Sequence, residues 1–98
     1  MYNKQFNRLI KSCSMKTFVD YYDELKDMSI SDAKLIDIIR QDMGYKEKET
    51  RTRVSKARRI IRNNLEIHAL SRAANSKHAE RDTVIGARKL LQQLGQTG

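Results

Sequence analysis

The sequence predicts an all-α fold, a small helical bundle of four to five helices containing a helix-turn-helix. Three observations lead there. The 98 residues contain no Pro and only four Gly, so helix breakers are rare. Sustained period-two alternation of Val, Thr and aromatics is missing, whereas apolar residues recur at three and four along most of the chain. Aromatics make up 6% of the chain and Trp is absent, so the core has to be built from Leu, Ile, Val, Met and Ala. A chain of this size is expected to form one domain, residues 1–98, with a modest core that dimerisation could supplement.

The first element is expected in "NKQFNRLIKSC", where Phe6, Leu9, Ile10 and Cys13 share one helix face. A second stretch, "MKTFVDYYDELKDM", repeats Phe18, Tyr21, Tyr22, Leu25 and Met28 at the same spacing, and whether residues 3–28 make one helix or two stays open. The Tyr pair reads as core rather than as a base-stacking platform. Cys13, the single cysteine, can form no internal disulfide and reads as a small buried filler.

Next, Ser29 followed by Asp32 has the form of a capping box opening a helix whose apolar face is Leu35, Ile36, Ile39 and Met43. Gly44 stops it where a left-handed residue is needed, and Tyr45 is expected to fold back onto Ile39. The following helix starts between Lys46 and Thr50 and meets no evident breaker before about Asn75. On a wheel, Thr50, Val54, Ala57, Ile61, Leu65 and His68 fall in one sector, flanked by Ile60 and Ile67. Lys48, Thr52, Ser55, Lys56, Arg59 and Asn63 stand opposite, with Arg51, Arg58 and Arg62 nearer the boundary. Glu47 and Glu49 precede Arg51 and Arg53 by four residues, an orientation that supports a first turn. Asn75 and Ser76 are then expected to end one helix and cap the last, about 76–94, in which Val84, Ala87, Leu91 and Leu94 form a stripe; Gly86 would permit close packing, and residues 95–98 form a frayed tail.

Charge is distributed unevenly. Residues 1–44 carry seven Lys/Arg and seven Asp/Glu, while residues 45–98 carry thirteen and five, so the whole net charge of +8 lies in the second half. Clustered cations are what counterion release from phosphate rewards. Searches for catalytic or cofactor signatures return nothing: GxxxxGK[ST], HExxH, CxxC and GxSxG are all missing, so no enzyme, cofactor, metal site or small-molecule ligand is expected. Asp20, Asp23, Glu24 and Asp27 crowd one helix as a solvated face or a docking surface for a basic partner. No apolar run reaches the roughly 20 residues that span a bilayer, and no signal core is evident, so a cytoplasmic protein without a membrane partner is expected.

The run from Gly44 to Arg62, GYKEKETRTRVSKARRIIR, resembles the recognition-helix pattern of sigma factor region 4 and related response-regulator domains, about G-h-S-x-x-T-V-x-S-R-L-x-R-A-R-x-x-L with h apolar. Arg53, Val54, Lys56, Ala57, Arg58 and Ile61 fall on that pattern's R, L, R, A, R and L, and the likeness covers residues 29–62. Thr50 stands at a usually apolar position, Lys46 at a usual Ser cap, and Arg40 where a small residue is common. The resemblance implies a helix-turn-helix over about 29–64 that binds double-stranded DNA and regulates transcription. It implies phosphate contacts from Lys46, Lys48, Arg58 and Arg62, and base-edge contacts from Arg51, Thr52, Ser55, Lys56 and Arg59. For Arg53 and Arg58 the alternative is that their stems cover the apolar face. A homodimer would present two half-sites, through the Val84–Leu94 stripe and the Ile60/Ile67 flank, unless these close the monomer core. The rival readings are a phage- or plasmid-type factor binding an acidic protein surface, and an RNA-binding helical bundle.

Overall fold

A computed structural model describes residues 13–95, and within them every regular element is helical. The described residues form six helices: α1 Met15–Asp20, α2 Tyr22–Lys26, α3 Asp32–Met43, α4 Glu47–Arg62, α5 Glu66–Ala74 and α6 Arg81–Gln93. The expected helix over residues 3–13 falls largely outside the described residues.

Six rather than four to five helices arise because two expected continuous segments are interrupted. The Met15–Lys26 stretch breaks at Tyr21 (φ −115°, ψ 22°), giving two short helices. The long helix expected to continue to about Asn75 ends at Arg62. There the Leu65 N–H bonds the Ile60 carbonyl (3.0 Å) and the Asn64 N–H bonds the Ile61 carbonyl (3.0 Å), the paired bonds of a Schellman end. Asn64 supplies the left-handed residue that this end requires, at φ 58°. The break rotates the downstream face, so His68 is exposed on α5 instead of lying in the core.

Capping also differs from expectation. The cap of α3 is Ser31, whose hydroxyl accepts from the Lys34 N–H (3.2 Å), while Ser29 donates its N–H and its hydroxyl to Asp27. Ser76 does not start the last helix; its hydroxyl accepts from the N–H groups of His78 and Ala79 and holds a turn, and α6 begins at Arg81. The stops at Gly44 (φ 71°) and Gly95 (φ 79°) stand where expected.

The core gathers Phe18, Leu25, Leu35, Ile39, Val54, Ala57, Ile60 and Leu70, all essentially inaccessible to solvent. α6 packs on α5 and α1, α3 packs on α4, and α2 packs on α4. Gly86 allows the α1–α6 approach, because a Cβ there would lie 2.8 Å from Cγ1 of Val19. Ile60 and Ala87 are buried, and Leu91 and Leu94 pack against the core, so these four residues of the two apolar stripes line the chain's own interior, while Val84 and Ile67 are half-buried. No helix among the described residues is long and apolar enough to cross a membrane.

Candidate nucleic-acid interface

α3 and α4 are joined by three residues, Gly44, Tyr45 and Lys46. Gly44 reverses the chain in the left-handed region, and its N–H bonds the Arg40 carbonyl (2.8 Å). The three positions that differ from the sigma-type pattern all work within this junction. Arg40 donates from Nε to the Tyr45 carbonyl (3.4 Å) and pairs through Nη1 with Glu47 (3.6 Å), so a long side chain bridges the two helices where a small one is common. Thr50 is fully buried, and its hydroxyl donates to the Lys46 carbonyl (2.8 Å), which hides its polar atom within α4 itself. Lys46 holds the cap position without a side-chain capping bond.

Tyr45 packs against the core, and the Arg53 guanidinium lies 4.1 Å from its ring centre. Arg53 also donates to Glu49 and Arg51 to Glu47, each at 3.0 Å, as the acid-first spacing predicted. Both acids at the start of α4 therefore have basic partners on the same helix.

The predicted site residues separate into two groups. Lys48, Arg51, Thr52, Ser55, Arg59 and Arg62 are exposed, as is Lys46 in the turn, and Lys56 is half-buried at the edge. Positions 48, 52, 55, 59 and 62 follow one another at alternating spacings of four and three, which sets them in one outward stripe along α4. The Thr52 hydroxyl donates to the Lys48 carbonyl (3.1 Å).

Arg58 does not belong to that surface. Only 3% of it is accessible. Its Nε donates to the Leu25 carbonyl (3.1 Å), its Nη2 to the Glu24 (3.3 Å) and Asp27 (3.1 Å) carbonyls, and its Nη1 to the Asp32 carboxylate. The guanidinium thus satisfies carbonyls at the C-terminal end of α2 and an acid in the first turn of α3. A phosphate contact is replaced by a role that ties α2, α3 and α4 together. Its wheel position at the edge of the apolar sector was visible in the sequence; the chain segment that would cover it was not.

Elsewhere the chemistry is sparse. Among the described residues no group of three His, Cys, Asp or Glu side chains is arranged to hold a metal ion. Burial pushes the Cys13 thiol up to about 12, which keeps it protonated at neutral pH. An open depression beside the α3–α4 turn is lined by Asp37, Arg40, Gln41, Gly44 and Tyr45. Comparison with family models, curated proteins and solved structures gives no match for this chain.

Proposed function

We propose that the chain binds double-stranded DNA and regulates transcription, with α3 bracing α4 as a helix-turn-helix and the outward stripe of α4 entering the major groove. One observation carries this reading: Lys48, Thr52, Ser55, Arg59 and Arg62 form a continuous exposed stripe without an acid in it, and among the described residues no ion pair engages its three cations. Unpaired, aligned cations release the most counterion from a phosphate backbone, because they exchange no existing partner for the new one.

Roles follow from position. Lys46 in the turn, Lys48 at the start of the stripe and Arg62 at its end are spaced to meet phosphates on either side of a groove. Arg51, Thr52, Ser55, Lys56 and Arg59 lie between them and supply base-edge contacts, with Arg or Lys suited to guanine. Arg58 takes no part in contact and sets the orientation of α4 instead.

Titration of a random-sequence duplex at two salt concentrations tests this, using wild type and Lys56→Ala/Arg59→Ala. Binding that weakens steeply with salt, by a log–log slope of about −0.9 for each phosphate neutralised, and that declines in the variant is the expected result. Absence of binding at low salt sinks the reading. Equal or tighter binding to an acidic protein surface or to duplex RNA moves the site to one of those partners.

A further inference from the structure

The two large hydrophobic side chains left exposed among the described residues are Met28 at 53% and Ile85 at 41%, and they stand in fields of opposite sign. Ile85 lies on the outer side of α6, one turn from Arg81 and from Arg88 and Lys89. Among the described residues no ion pair engages those three cations, and Asp82 is the only acid within the helix. Met28 follows the end of α2, next to Asp27, with Asp23 and Glu24 on the preceding turns. Lys26 is the one base within α2, and it is already drawn to Asp23 (3.7 Å) and over the Tyr22 ring (5.3 Å). Counted with their cap residues, α2 keeps an excess of two negative charges beside Met28 and α6 an excess of one positive charge around Ile85, Glu80 at the start of α6 being drawn to Lys16 (3.8 Å).

We propose that these faces dock on one another between two copies of the chain, Ile85 of one copy meeting Met28 of the next within matched charges. An isolated apolar side chain among unpaired cations is a poor match for a bare phosphate backbone and a good match for an acidic protein face with an apolar residue of its own. The acidic face of this same chain has that composition. Within one copy α6 packs mainly on α5 and α1 while α2 packs mainly on α4 and α1, so the two faces belong to different edges.

The contact joins unlike surfaces and is therefore heterologous: each copy keeps one free face of each kind after pairing. Association is head-to-tail with one polarity, in place of a two-fold dimer. Combined with the proposed DNA reading, it favours sites arranged as direct repeats, but the pairing itself stands without that reading.

Sedimentation equilibrium of the purified chain tests the pairing, with Ile85→Glu/Arg88→Glu breaking the basic face and Asp23→Lys/Met28→Lys breaking the acidic one. All four positions are exposed, so each variant is expected to retain its helices, which circular dichroism checks. Wild type is expected to self-associate, more weakly by about tenfold when salt rises from about 0.05 M to about 0.5 M. Each double variant alone is expected to be monomeric. A one-to-one mixture of the two is expected to give a dimer and nothing larger, since only one intact face of each kind remains. A wild type that stays monomeric at about 1 mM, a variant that still self-associates, or a mixture that stays monomeric overturns the proposal.

Discussion

Arg58 of α4 and Asp32 in the first turn of α3 bind each other side chain to side chain, and the same guanidinium closes three carbonyls at the end of α2. One residue in the middle of the most basic helix thus fixes how that helix lies on two others. Replacing Arg58 with Ala is expected to cost about 3 kcal/mol, because it strands buried carbonyls and removes an ion partner at once. Arg58→Lys should recover little of this, since an ammonium cannot reproduce the planar fork. Arg59→Ala, one residue on and exposed, should stay within about 0.5 kcal/mol. Urea unfolding of the three variants checks the order; equal losses for Arg58→Ala and Arg59→Ala would contradict it.

Gly86→Ala is expected to destabilise by about 1–2 kcal/mol, although Ala is the better helix former by about 1 kcal/mol. The added Cβ would lie 2.8 Å from Cγ1 of Val19, a branched side chain with little rotamer freedom. Thermal unfolding of Gly86→Ala with and without Val19→Ala measures this: the Gly86→Ala penalty should largely disappear in the Val19→Ala background.

Thr50→Val is expected to leave stability unchanged or raise it by up to about 1 kcal/mol. The Lys46 carbonyl that receives the Thr50 hydroxyl also accepts the Thr50 N–H (3.0 Å), so the substitution orphans no acceptor and places a methyl at a fully buried position. Denaturant unfolding gives the answer, and a loss above about 1 kcal/mol would show that the hydroxyl bond holds the start of α4.

Tyr21 ties the α1–α2 junction to α3 by donating its hydroxyl to Asp42 (3.0 Å). Burial, together with that bond to a carboxylate, pushes its phenol up to about 12, from an ordinary value near 10. A folded-state value above the unfolded one means that the contribution is complete below pH about 10 and is lost as pH rises through about 12. Alkaline absorbance titration should therefore show Tyr21 ionising late, together with Tyr22, whose phenol burial also raises, and Tyr21→Phe should remove one tyrosine from that late phase. Asp42→Asn should move Tyr21 back toward 10.

What the sequence made legible depended on whether the cause was local. Gly44 could be recognised as a stop because the apolar face ends at Met43 and a left-handed residue follows immediately. The Glu47–Arg51 and Glu49–Arg53 pairs were set by spacing alone. Ser29 and Ser31 compete for the same cap, and Asp27 decides between them by binding Ser29, leaving Ser31 to Lys34. Asn63-Asn64 was the available sign of a break, but Leu65 and His68 continue the apolar phase of α4 and masked it. Arg58 shows the limit most clearly, since its burial is caused by residues 24–32, remote in sequence from α4.

Mapping backbone amide shifts as a short duplex is added to the labelled protein tests whether the outward stripe of α4 is the contact surface for duplex DNA. The largest changes are expected along Lys48, Thr52, Ser55, Arg59 and Arg62 and at the turn residue Lys46, with Arg88 and Lys89 on α6 little affected. Shifts concentrated on α6, or none at low salt, would contradict that role of α4.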